Sequence, residues 1–347
     1  MPKAYVPPVL HADLTGKTVL ITGANTGIGF EAAKHFARMA PARLIVACRS
    51  EEKGLRAVQS KFPAARVNWM CCLFLLQGQP IDIVVANAGM ASREYTLTED
   101  GLEQNLQVNH VSTALLSALL LPNLVKAARE HHSRSRLVIV ASGVHHSIRF
   151  SEAVTSSPMI LDALSSAEYC TPEVMQRRYD ETKLLNVFFT RALAAHLPPA
   201  LPVVPTAVDP GFCFSELRRH LPQAEQALYA AHDAAAGRSA EEGARQLVWA
   251  AVGPDGARDG DAALQLRGAY VATAAVVPPS RYVLSDEGRA VQERIWVRRS
   301  CWSVGFDADG LPRRRLWWCS RRWALRGIRS FRDECRGMCV GRCYVYV

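Results

Sequence analysis

Three observations predict an α/β fold on a mostly parallel sheet. Short apolar runs rich in β-branched residues recur along the chain, and segments with helical spacing separate them. The first such run, Lys17 to Ile21, passes directly into a glycine-rich turn, Thr22-Gly23-Ala24-Asn25-Thr26-Gly27-Ile28-Gly29, which opens a helix marked by Phe30, Ala33, Phe36, Ala37 and Ala40. A chain of 347 residues with 49% apolar composition has ample material for a core and is not disordered as a whole.

The strand–turn–helix start carries chemistry. Gly23 permits a tight turn, Gly27 lets the backbone approach a pyrophosphate, and Gly29 lets helix and strand pack closely. The helix N-terminus then faces the phosphates. Arg43 to Cys48 reads as the second strand, whose end lies beside an adenosine ribose in such a fold. An acidic residue there would accept from the 2′-hydroxyl of NAD. The chain instead has Arg49, followed by Ser50 and Lys53, and a guanidinium suits a 2′-phosphate. The reading is a site for NADP(H).

The remaining elements follow in order. Glu51 to Lys61 reads as a helix and Arg66 to Cys72 as a third strand. Ile81 to Ala86 is a fourth strand that ends in Asn87-Ala88-Gly89. Only Leu73 to Pro80 separates these two strands, too little for the crossover helix that parallel neighbours need. Leu106 to Leu124 fits a buried helix with Asn109 inside it, and Arg136 to Ala141 is a fifth strand with Ser142 at its end. Residues 143 to 176 look irregular, with a local helical turn at Leu161 to Leu164. A long helix then carries Tyr179 and Lys183 at i and i+4, on one face and one turn apart. A cation at that distance favours the phenolate and makes the phenol a proton donor and acceptor for an alcohol or ketone. Leu201 to Val208 is a sixth strand leading to Asp209-Pro210-Gly211, residues 216 to 252 are mostly helical, and Gly268 to Thr273 is a last strand.

Composition excludes several classes. The net charge of +9 is concentrated at one end: residues 297 to 347 hold 12 Arg against 4 acidic residues, with five of the ten Cys and four of the seven Trp. The rest is near neutral, so no nucleic-acid surface is expected there. The other cysteines, Cys48, Cys71, Cys72, Cys170 and Cys213, have no metal-ligand spacing, and no metal is expected. No apolar run reaches 18 residues, and Ala114 to Val125 is interrupted by Pro122, so no transmembrane segment is expected. The N-terminus shows no secretory signal pattern, which gives a cytoplasmic protein with reduced thiols as the expectation.

Taken together, Thr22 to Gly29, Asn87-Ala88-Gly89, Asn109 within Val-Asn-His, Ser142 after an apolar strand, Tyr179 with Lys183, and Pro210-Gly211 resemble the short-chain dehydrogenase/reductase family in order and spacing. The interval from Ser142 to Tyr179 is similar to that of retinol-dehydrogenase-like members and of reductases in fungal secondary metabolism. The resemblance covers about residues 14 to 296. It implies a Rossmann-type doubly wound sheet in a single domain, with NADP(H) at the C-terminal ends of the strands. It implies that Tyr179 is the general acid/base and that Lys183 binds the nicotinamide ribose and lowers the phenol's pKa. Ser142 would orient the substrate oxygen, and Asn109 would anchor a water in a proton relay. Asn25, Thr26, Ile28, Asn87, Ala88 and Gly89 would lie along the cofactor, with Pro210 and Gly211 beside the nicotinamide. A homo-oligomer is compatible with the family.

The reading thus divides the chain into a lead-in at 1–16, an NADP-binding domain at 17–296 and an atypical basic tail at 297–347. The expected activity is interconversion of a ketone or aldehyde and an alcohol on an apolar small molecule, a tailoring step in secondary metabolism by resemblance. Phe150, Met159, Ile160, Leu161, Phe212, Phe214 and Leu217 are the expected pocket residues. The alternative is a non-catalytic or impaired family member that binds nucleotide or a partner. It is favoured by the short third-to-fourth strand interval and by Cys72-Leu73 where the family has Asp-Leu. The short interval and the tail both look like a lost exon or translated intron; the rival reading of the tail is a basic arm that binds acidic partners.

Overall fold

The computed structural model describes residues 5–61, 67–70, 78–219, 221–253 and 261–298. The basic tail and the Cys72-Leu73 position lie outside the described residues.

Among the described residues, eight strands form one sheet in the order β3-β2-β1-β4-β5-β6-β7-β8. They are β1 Thr18–Thr22, β2 Arg43–Ala47, β3 Val67–Met70, β4 Ile83–Ala86, β5 Ser135–Val140, β6 Val203–Val208, β7 Tyr270–Ala272 and β8 Ala275–Val277. All neighbours pair in parallel except β7 with β8. The third and fourth strands are parallel members of this sheet but not neighbours in it. Twelve residues lie between Met70 and Ile83. Residues 71–77 of this interval, and with them the expected absence of a crossover helix, lie outside the described residues.

Period-two alternation sends side chains to two cores. Val19, Ile21, Ile83, Val85, Val138, Val140, Val204 and Val208 pack on one face, where helices α1 Gly27–Arg38 and α9 Ala240–Val252 lie. Leu20, Val84, Ala86, Leu137, Ile139 and Val203 face the other way. Both faces are covered over β1, β2, β4, β5 and β6, so these strands read as near-continuous apolar runs, whereas the edge strand β8 is largely exposed.

Helices cover the second face as well. α2 is Glu51–Lys61. α3 Gln104–Leu106 continues through a π turn, Gln107–Val111, into α4 Ser112–Glu130, which runs through Pro122. This helix is long and apolar enough to cross a bilayer, with mean hydropathy 1.5, but 78% of its apolar window is buried against the rest of the chain. Residues 143 to 176 are more ordered than expected. They contain a 3₁₀ turn at Gly143–Ser147, α5 Glu152–Ser156 and α6 Ile160–Ser165, and α7 already starts at Pro172 and runs to His196. Pro172 stands in its first turn and the Thr171 hydroxyl caps Val174 N–H, a standard start signal. α8 Gln223–Ala236, α10 Asp261–Leu264, α11 Arg281–Leu284 and α12 Asp286–Arg298 complete the domain. α12 crosses the boundary drawn at Trp296, and Trp296 stacks on His196 of α7 at 4.9 Å between centroids.

Candidate active site

The C-terminal ends of β1, β4, β5 and β6 gather the motifs singled out in the sequence. β1 ends at the glycine-rich turn, where Gly23 and Gly27 have φ of 64° and 58°. Thr26 precedes α1 but its side chain caps no backbone N–H, and the first turn contains no acidic residue. The positive end of the helix dipole is thus left for an anion. Asn25 and Ile28 are partly buried in the same turn. A side chain at Gly29 would collide with the Asn87 amide and with Gly23 O. The cradle is shaped by backbone and fits a dinucleotide pyrophosphate.

Asn87 buttresses this turn. Its amide donates to Thr22 O at 2.9 Å and Gly23 O at 3.3 Å, while the Thr22 hydroxyl accepts from the N–H groups of Asn87 and Ala88. Gly89 brings the backbone close to the next helix, where an added Cβ would sit 3.3 Å from Asn109 Oδ1. Arg49 is exposed two residues beyond β2. Its strand end is joined to the turn by Gly23 N–H donating to Ala47 O at 2.8 Å.

Asn109 lies within the π turn and is fully buried. Both amide protons are used, to Met90 O at 2.9 Å and to the Thr182 hydroxyl at 3.0 Å, and Oδ1 accepts from Met90 N–H at 2.8 Å. Its main-chain carbonyl accepts from the Asn186 amide at 3.0 Å. Asn186 also donates to Val140 O, which Lys183 Nζ reaches at 2.9 Å. Thr182 and Asn186 were missed in the sequence, although they stand three and seven residues beyond Tyr179, on its helix face.

Tyr179 and Lys183 meet as their spacing predicts, with Nζ 5.4 Å from the ring centroid. Ser142 precedes the 3₁₀ turn after β5, and its hydroxyl lowers the pKa of the Tyr179 phenol. The electrostatics differ from the sequence reading. Burial, then the carboxylates of Asp209 and Asp180, push the phenol above its ordinary pKa, and only the Ser142 contact opposes them. Lys183 directs its ammonium at a backbone carbonyl, and burial lowers its pKa to about 8 against the pull of Asp209. In the free protein the phenol is therefore protonated at neutral pH.

Pro210 and Gly211 follow β6, with Gly211 at φ 82° and a buried Arg238 guanidinium filling the space a Cβ would need. Ser215, a second residue missed in the sequence, closes over the turn, its Cβ 3.6 Å from the position a Gly27 Cβ would take. His145 is structural: Nδ1 donates to Ser142 O at 2.7 Å and Nε2 accepts from Ser280 N–H at 3.1 Å. Among the described residues no group of His, Cys, Asp and Glu is arranged to hold a metal.

Of the expected pocket residues, Phe150, Ile160 and Leu161 are buried in the core beneath α7. Met159, Phe212 and Phe214 are exposed. An apolar hollow between α4, α7 and α12, lined by Val111, Ala114, Phe188 and Trp296, contains none of Asn109, Ser142, Tyr179 and Lys183.

No family model matches the chain. Its relatives include the short chain dehydrogenase atnD of Emericella nidulans, 35% identical over 70% of this chain and 82% of the relative. The short-chain dehydrogenase/reductase phmF of Phaeosphaeria nodorum is 32% identical over 81% of this chain and 85% of its own length. Among solved structures, an oxidoreductase of the short chain dehydrogenase/reductase family from Burkholderia thailandensis shares the fold. Its TM-score is 0.51 at 19% identity, over 74% of this chain and 91% of that one.

Proposed function

The chain belongs to the short-chain dehydrogenase/reductase family of oxidoreductases, and on that premise we propose that it uses NADP(H) to interconvert a ketone or aldehyde and an alcohol on an apolar small molecule. The observation that carries this reading is Lys183 5.4 Å from the Tyr179 ring on a helix that also holds Asn109 through Thr182, next to an uncapped helix N-terminus.

Gly23, Gly27, Gly29 and Ser215 would hold the pyrophosphate, Arg49 the 2′-phosphate, and Pro210-Gly211 the nicotinamide side. When bound, NADP(H) supplies the hydride that reaches the carbonyl carbon. Ser142 and Tyr179 both direct hydroxyls at the carbonyl oxygen. Tyr179 gives its phenolic proton to that oxygen, and the phenolate regains a proton from solvent. Lys183, one turn away, offsets the charge that develops on the phenol. Asn109 ties the Gly89–Met90 loop to α7, and the second lone pair of its main-chain carbonyl is the place for a relay water.

The apolar substrate class is supported by Met159, Phe212 and Phe214, which are exposed, with Phe212 adjoining Gly211. A tailoring role in secondary metabolism rests on the sequence resemblance, and the relatives it matches are fungal short chain dehydrogenases. Titration of the purified protein with NADPH and then NADH, read by tryptophan-to-nicotinamide energy transfer, tests the cofactor assignment. Turnover of a panel of aromatic ketones tests the reaction. Selective NADPH binding with turnover is expected, and a folded protein that binds neither nucleotide would refute the reading.

A further inference from the structure

The hollow between α4, α7 and α12 lies apart from the reacting groups. At about 3.6 residues per turn, Phe188 stands half a turn round α7 from Tyr179, so the helix gives one side to the active site and the other to the hollow. α12 forms one wall and is fastened to α7 at two points. Trp296 stacks on His196 and adjoins Phe189 at 6.2 Å between centroids, and Glu293 pairs with His196 Nε2 at 2.9 Å. The lining is mostly carbon, and the cavity is about 50 Å³, room for more than one water, which takes roughly 10–15 Å³.

Two polar residues in that lining are buried, and each has an acceptor that no donor answers. His110, in the π turn, is 3% exposed. The Asn186 amide nitrogen donates to Asn109 O at 3.0 Å and Val140 O at 3.2 Å, which fixes the amide and leaves its Oδ1 at 3.1 Å from His110 Nδ1. An amide oxygen only accepts, so Nδ1 carries the ring proton and Nε2 holds a lone pair. Burial agrees with this by lowering the pKa of the ring to about 4, so it is neutral at pH 7. Among the described residues Nε2 has no hydrogen-bond partner. Gln292, on α12 and 7% exposed, donates from its amide nitrogen to Glu293 Oε1 at 3.3 Å, while its own buried Oε1 has no partner among the described residues. Buried acceptors are unfavourable when unmet. A water could meet these two, but its lone pairs would then face carbon.

We propose that this hollow is a second ligand site, separate from the redox site, and that it takes a small phenol: the ring packs against Phe188, Phe189 and Trp296, and the hydroxyl donates to His110 Nε2. Gln292 Oε1 is the acceptor for a second hydroxyl on the same ring. An aromatic body suits aromatic walls, and a donor is the one polar feature that these two acceptors recognise. A carboxylate or another acceptor-only ligand is excluded by the same pair.

The test is NMR of the full chain carrying 15N-labelled histidine, titrated with phenol and in parallel with toluene, which has the same ring and no donor. The His110 signals are assigned by their loss in His110→Asn, which retains a donor toward Asn186 Oδ1. Phenol should move the Nε2 resonance saturably, from the position of a free lone pair toward that of a hydrogen-bonded one. Its Kd should be about tenfold or more below that of toluene. Ala114→Leu fills the hollow from α4 and should abolish the shift, which keeps the site testable if His110→Asn does not fold. The inference is overturned by a His110 signal that stays fixed to about 10 mM phenol, above the Kd so small a ligand should have. It is equally overturned by toluene binding as tightly as phenol, or by a shift that survives Ala114→Leu. A His110 signal that moves with protein concentration alone would put a second copy of the chain in the hollow, and that also refutes it. The readout needs no nucleotide and no turnover, so it stands or falls independently of the function proposed above.

Discussion

The two halves of the site are built from different materials. The nucleotide half is backbone: positive-φ glycines, an uncapped helix start, and a cradle that a single Cβ at Gly29 would fill. The acid–base half is side chain: Asn109, Thr182, Lys183 and Asn186 are buried and joined by hydrogen bonds, with Tyr179 and Asp209 partly buried at the mouth. Backbone shape is specified by a local motif and tolerates a change of charge nearby. A buried polar network depends on every member, because each orphaned partner carries its own desolvation cost.

The largest effect that separates the halves is Tyr179→Phe. Removal of the proton donor should lower turnover by about 10²- to 10⁴-fold, while NADPH binding by energy transfer stays unchanged. Normal turnover in this variant would remove Tyr179 from the chemistry and leave only the nucleotide half standing.

This contrast also explains what the sequence made legible. Tyr179 with Lys183, Ser142 at a strand end, and the glycine-rich turn are local patterns, and the structure brings them together at one edge of the sheet. Asp209 was legible as part of a motif but not as a charge on Tyr179, because its direction depends on register across β5, β6 and β7. The raised phenol pKa follows first from burial and then from the same long-range placement, neither of which a helical i, i+4 spacing reports. Thr182 and Asn186 did carry a signal, at helical spacing from Tyr179. β8 did not: its hairpin turns at Thr273 and Ala274, with φ of 52° and 54°, where the usual signal is Asn-Gly.

Acid should strike the side-chain half first. His110 and His145 are buried, and burial lowers the pKa of each from 6.5 to about 4. Above pH 6.5 both are neutral in the folded and unfolded chain. As pH falls through 6.5 the unfolded chain takes up protons first, so stability declines until the folded groups protonate near pH 4. Each group contributes a loss on the order of 3 kcal/mol over that window. Urea unfolding at pH 7 and pH 4.5 measures it. His110→Asn, which retains a donor toward Asn186 Oδ1, should remove one share of the slope. A slope unchanged in that variant would show that His110 is not the group responsible.

The nucleotide half should respond to shape. Gly29→Ala places a methyl group against Gly23 O and the Asn87 amide. Overpacking of this kind costs about 1–3 kcal/mol. NADPH affinity should fall and the melting temperature should drop, with a [13Cζ]tyrosine spectrum for Tyr179 like that of the wild type. A changed Tyr179 signal would mean that the two halves are mechanically coupled through Asn87 and Gly89.

Arg49 is the one place where the proposed nucleotide half would rely on a side-chain charge, and it gives the smallest effect and the finest test of the contrast. It is exposed beyond β2, so its loss leaves no buried group unpaired and should not affect folding. A charge-assisted contact to a 2′-phosphate is worth about 1.5–3 kcal/mol, so Arg49→Ala should raise the Kd for NADPH about 10- to 100-fold. NADH has no 2′-phosphate and its Kd should stay as it is. Such a selective loss places Arg49 on the phosphate. Equal weakening of both nucleotides would instead place it on a feature they share, the adenine or the pyrophosphate, and would undo the preference for NADP(H) while leaving the glycine cradle intact.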